Sequence, residues 1–149
     1  MRKSLICLVM AMLLAGLLPL YACKTEISPL AQNEKLWQSK HIQDYSYRLD
    51  IGGFRPPPAG NFLVIVRGGN PAGYSRLDEP GDTNNPNVVK YDTFEKVFAL
   101  LEQSYRDLTL HVDVTYDAVY GFPTSMSVYS LLNALDIHDV IKITDFKLE

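Results

Sequence analysis

The chain has 149 residues with 14 basic against 17 acidic side chains and a formal net charge of −3, the size of one ordinary domain. Phosphate contacts need clustered Lys and Arg, and this acidic balance argues against nucleic acid as a partner. With 47% hydrophobic and 21% charged residues, the chain is too apolar for wholesale disorder.

The N-terminus reads as an address. Met1-Arg2-Lys3 is a short positive start, followed by an almost unbroken apolar run from Leu5 to Leu20, the layout of an export signal. The run ends at Leu20-Tyr21-Ala22-Cys23, which resembles the lipobox of bacterial lipoproteins, where the cysteine becomes the lipidated first residue. Residues 1–22 are then a lipoprotein-type signal peptide and Cys23 the site of acylation, of the palmitate kind. An uncleaved anchor or an ordinary cleaved signal are the other readings. The stretch from Leu5 to Ala22 is about 18 residues, barely enough to span a bilayer, and Pro19 interrupts its end.

Cysteine usage agrees with lipidation. Cys7 would leave with the leader, so Cys23 would be the one cysteine of the mature chain. It can form no internal disulfide, and a lone thiol at a processing point is better explained as an attachment site. Diacylglyceryl plus amide-linked chains would hold the protein firmly to a membrane. Ser28-Pro29 is a helix-start signal. Residues 24–28 therefore tether lipid to fold over at most about 17 Å. Lys24 follows the cysteine, and an aspartate associated with inner-membrane retention is absent. The protein is expected to be exported and lipid-anchored at the cell envelope, at the outer membrane if the source has two.

Roughly 125 residues remain for folding, enough to bury about two thirds of the unfolded surface. Residues 29–149 are expected to form a single α+β domain. The first helix runs from about Pro29 to His41, with Leu30, Leu36 and Trp37 as its buried residues. Asp44 to Ile51 alternates polar and apolar residues, the mark of a strand with one wet face. Gly52 to Gly60 holds Pro56, Pro57 and Pro58 and must be a loop. Phe62 to Val66 is a buried strand, and Gly68-Gly69-Asn70-Pro71 turns the chain back through Tyr74 to Leu77 as a hairpin. The polar insert from Asp78 to Asn87 follows.

The second helix opens at Asp92, with Glu95 at the reciprocal capping-box spacing. Phe94, Val97, Phe98, Leu101 and Tyr105 form its apolar stripe. Leu108, Leu110, Val112, Val114 and Tyr116 alternate with Thr109, His111, Asp113, Thr115 and Asp117, the cleanest strand in the chain. A loop through Gly121 and Pro123 returns into a strand from Thr124 to Tyr129, and Ile137 to Phe146 supplies the last one. Helix-then-strands occurs twice, an order that builds a two-layer fold with helices packed on one face of an antiparallel sheet.

Trp37, Tyr45-Ser46-Tyr47, Thr93-Phe94-Glu95, and above all Val114-Thr115-Tyr116-Asp117 with Gly121-Phe122-Pro123-Thr124-Ser125 resemble the bacterial domain of unknown function 6174. The resemblance covers roughly Trp37 to Phe146 and implies secreted or lipid-anchored small domains, with no activity attached. Many members carry a close cysteine pair after the first strand. Here that stretch is Gly52-Gly53-Phe54-Arg55-Pro56, so a disulfide or metal clip at that place is ruled out.

The chemistry-bearing residues are sparse. His111 and Asp113 share one strand face, with Asp117 further along, and could form a base with its orienting carboxylate. Ser125 and Ser127 are the nucleophile candidates, but neither sits in a Gly-x-Ser-x-Gly elbow. The plain reading is the wet face of a one-sided sheet. His41, His111 and His138 lack zinc-motif spacing. Asp78, Glu79, Asp82 and Asn84 could offer oxygens to calcium, yet their spacing is not that of an EF-hand. No cofactor is implied. Of the nine tyrosines, Tyr45, Tyr47 and Tyr116 fall on apolar strand faces, whereas Tyr120 and Phe122 fall in a turn.

Two readings of that turn stay open. Either Phe122 folds back to cap the core beside Pro123, or Asp117, Tyr120, Gly121, Phe122 and Pro123 form an interaction surface. The leading functional expectation is a non-enzymatic, membrane-tethered binding domain of the cell envelope, with an unidentified envelope protein or ligand as partner. The alternatives are an inhibitor-like module acting on an envelope enzyme, and a hydrolase using His111 and nearby acids.

Overall fold

The computed structural model describes residues 28–52, 60–78, 86–132 and 137–149. In chain order these form α1 (Pro29–Ser39), β1 (Tyr45–Gly52), β2 (Gly60–Arg67), β3 (Asn70–Arg76), a 3-10 turn (Val88–Lys90), α2 (Phe94–Arg106), β4 (Leu110–Tyr116), β5 (Pro123–Ser130) and β6 (Ile137–Leu148). The architecture is mixed α+β, with more sheet than helix. The six strands form one antiparallel sheet in the order β3-β2-β1-β6-β5-β4. Two three-strand meanders therefore meet at β1 and β6, the first and last strands of the sheet in sequence.

Local chemistry explains most element boundaries. The Ser28 hydroxyl accepts a hydrogen bond from the Ala31 amide at 3.2 Å, and Pro29 takes the first helical position of α1, where its missing N–H costs nothing. At α2 the capping residue is Thr93 rather than Asp92. Thr93 has extended backbone and its hydroxyl accepts from the Lys96 amide at 3.3 Å. The capping-box partners are diverted. Asp92 is buried and ion-paired with the Lys96 ammonium at 2.7 Å, while the Glu95 carboxylate accepts from Trp37 Nε1 at 2.9 Å.

The strand register lines up the apolar alternation. Leu49 pairs with Phe62 on one side and Ile143 on the other, and Ile141 lies between Ile51 and Met126. All six of these residues are buried. Around Trp37 the core is aromatic. Trp37 meets Tyr45 and Phe94 edge-on, with centroids at 5.3 and 4.8 Å. Phe94 stacks on Phe122 at 4.6 Å with planes 5° apart. Such pairs add about 0.5–1.5 kcal/mol each beyond the area they bury. Two buried phenols are tied to backbone: the Tyr47 hydroxyl donates to the Tyr91 carbonyl, and Tyr45 Oη accepts from the Phe94 amide at 3.2 Å. Burial raises the pKa of both, keeping them neutral.

Three further expectations shift. Leu36 is half-buried rather than core. Tyr105 is 48% exposed because α2 turns Ser104 inward in its last turn. Strand β4 begins at Leu110, and Leu108 stands 89% exposed in the preceding loop.

Candidate functional site

The turn between β4 and β5 is organised by Asp117. Its carboxylate Oδ1 accepts from the amides of Val119 and Tyr120, at 2.9 and 2.7 Å. Its carbonyl accepts from the Gly121 amide and its own amide donates to the Phe122 carbonyl, at 2.9 and 2.8 Å. Asp117 thus closes the loop on itself, the usual work of an Asp in a turn. Gly121 takes φ +85°, a left-handed conformation that costs little only for glycine. It also packs directly on α1, since an added Cβ would strike the Asn33 carbonyl oxygen and lie 3.0 Å from Leu36 Cβ.

The members of this turn face different ways. Phe122 is 4% exposed and lies among Trp37, Phe94 and Phe146, so its side chain belongs to the core. Gly121 and Pro123 are buried too. Tyr120 is half-buried, with one side of its ring 5.2 Å from Phe146. The ammonium of Lys40, at the end of α1, lies 6.0 Å from the Tyr120 ring centroid. Val119 is exposed at the tip. The outer side of the turn therefore carries Val119 and Tyr120, with Lys40 beside them. Lys40 was not legible as part of this surface, because its proximity depends on how α1 crosses the turn.

The polar sheet face brings other candidates together. His111 Nε2 lies 3.1 Å from Asp113 Oδ1, both side chains well exposed, and the imidazole stands 4.8 Å from the Tyr129 ring. Partial desolvation and the neighbouring Asp113 carboxylate raise the pKa of the Tyr129 phenol. Ser127 is the register partner of Asp113. Ser125 is engaged elsewhere, its hydroxyl 2.6 Å from Thr115 Oγ1, which also meets Thr124 Oγ1 at 2.8 Å. The hydrogen-bond partner of His111 is a carboxylate rather than a hydroxyl. Asp117 points into its own turn. A shallow depression of about 440 Å³ lies beside these residues, floored by Met126 and Ile141 and edged by Lys142. Among the described residues, the hydrogen bond of the His111 ring is to Asp113, and neither Ser125 nor Ser127 bonds to it.

The possible calcium loop lies largely outside the described residues. Asp78, at its start, is ion-paired with Arg76 at 3.0 Å, and this hydrogen-bonded guanidinium lowers its pKa. Among the described residues, no three His, Cys, Asp or Glu side chains come together in a way that could hold a metal ion. The described part of Gly52 to Gly60 is its two end glycines, so the rest of that loop is also outside. Cys23 lies outside as well.

Comparison with known proteins places the sequence in one family. The model of DUF6174, a family of unknown function, matches residues 29–148. The chain belongs to this family. No curated protein and no solved structure matches it.

Proposed function

We propose that the protein is a lipid-anchored bacterial envelope protein whose domain binds a partner and does no chemistry. The carrying observation is the positive start, apolar run and Leu20-Tyr21-Ala22-Cys23 boundary, followed five residues later by the capped start of α1. In this reading α1 and α2 form one layer over one face of the sheet. The Trp37 contacts to Tyr45 and Phe146, and the stacking of Phe98 on Tyr116 at 6.4 Å, support that layering. The opposite, polar face is solvated structure.

The partner surface is the turn after β4, where the Asp117 hydrogen bonds hold Val119 and Tyr120 on a packed base, with Lys40 beside them at the end of α1. Loops fixed on a rigid scaffold are where binding residues concentrate. The test is capture of the native partner from detergent-solubilised envelopes, beside thermal unfolding. Tyr120→Ala should weaken capture while costing under about 1 kcal/mol of stability. Phe122→Ala should instead lose about 3–5 kcal/mol, the range for emptying a buried aromatic site. Undiminished capture by a well-folded Tyr120→Ala protein would reject this surface.

A further inference from the structure

Four exposed large apolar side chains stand on segments that flank the Leu110–Ser130 end of the β4–β5 pair. Leu108 is 89% exposed, Leu132 84%, Leu131 59% and Tyr105 48%. They come from two separate loops and the end of α2. The Leu131 amide donates to the Thr109 carbonyl at 2.8 Å, which ties the β5–β6 loop to the α2–β4 loop. Tyr105, the penultimate residue of α2, stands three residues before Leu108. Isolated exposed leucines are ordinary, but neighbouring ones from different segments mark a contact surface.

The start of the folded chain lies at the same end. Tyr105 and Ser28, Pro29 and Leu30 line one small cleft of about 270 Å³. The five residues between Cys23 and α1 span at most about 17 Å. An acylated Cys23 would thus keep this end within reach of the bilayer. Val119 and Tyr120 lie beyond the opposite end of β4.

We infer that the Leu108–Leu131–Leu132 surface docks on the lipid bilayer, inserting its leucines at the headgroup–acyl boundary and fixing the domain's orientation. This rests on the lipid-anchor reading above, because the tether selects a membrane as the occupant. Docking would orient the Asp117–Phe122 turn away from the membrane. Apolar side chains at such an interface settle about 5–10 Å deep, within reach of quenchers carried on acyl chains.

The test uses full-length protein purified from membranes and mixed with vesicles of phosphatidylethanolamine and a minority of phosphatidylglycerol, with or without brominated acyl chains. Two probes are made, Leu132→Trp and Val119→Trp. Buried Trp37 gives a constant background, and near-ultraviolet circular dichroism checks that both variants fold. Bromination should cut the added emission of Leu132→Trp about twofold or more, given that depth, and leave Val119→Trp unchanged. No quenching at position 132, or equal quenching at both positions, overturns the docking. Intact mass reads the anchor separately. Quenching confined to position 132 supports docking even if the mass shows no lipid, and lipidated protein without that quenching refutes docking while keeping the anchor.

Discussion

Replacing Gly121 by alanine probes the junction of the turn with α1. Two costs add at this position. The backbone sits at φ +85°, and a left-handed non-glycine residue costs about 1–2 kcal/mol. The new Cβ would also strike the Asn33 carbonyl oxygen and press on Leu36 Cβ at 3.0 Å and the Trp37 amide at 3.1 Å. Two of these neighbours are helix backbone, which cannot rotate aside, and overpacking of this kind costs about 1–3 kcal/mol. The sum is about 2–5 kcal/mol, or a fall in Tm of roughly 10 °C or more. Gly69→Ala supplies the control. Gly69 also has positive φ, at +73°, but nothing lies within 4 Å of its would-be Cβ. Its alanine should show the backbone cost alone. Urea unfolding followed by the fluorescence of Trp37 measures both. If Gly121→Ala is no more costly than Gly69→Ala, α1 is not seated on the turn and the core described around Trp37 is wrong.

Two further variants test the remaining charged features. Changing His111 to Ala and Asp113 to Asn together should alter stability by under about 0.5 kcal/mol, as exposed positions away from special features do; a hydrolytic activity abolished by this double change would overturn the non-enzymatic reading. Hydrogen bonds from Ser46 and Arg67 hold the Glu149 carboxyl below its ordinary value of 4.5. A depressed folded-state pKa stabilises above the unfolded value, and that contribution is lost as pH falls through the folded one. Glu149→Gln should therefore flatten the acid side of the stability–pH curve, and an unchanged slope would remove Glu149 from the account.

Local patterns carried much of the fold. The alternation from Leu110 to Tyr116 marks a strand that keeps one wet face, whereas that from Tyr45 to Ile51 marks a strand whose polar side is covered, with Ser46 buried and Arg48 and Asp50 half-buried. The helix starts at Ser28-Pro29 and near Thr93 follow from capping chemistry. The junction of β1 with β6 is different in kind. It joins residues nearly a hundred positions apart, and no local period reports it. The same non-locality hid the Trp37–Glu95 hydrogen bond, which removes Glu95 from the capping box, and the seat of Gly121 against α1. Phe122 lay in a turn by sequence, with no periodic face to assign it. Its place in the core depends on Trp37, Phe94 and Phe146 converging from three other segments. Tyr105 was one position off the buried stripe because α2 presents Ser104 at its last inward position.

The most direct measurement is the intact mass of the mature protein recovered from envelope membranes, beside a Cys23→Ser variant. The expected product is a chain that begins at Cys23 and carries diacylglyceryl and an amide-linked acyl group, both lost in the variant. A chain beginning at Lys24 or later, or an unmodified Cys23, would contradict it.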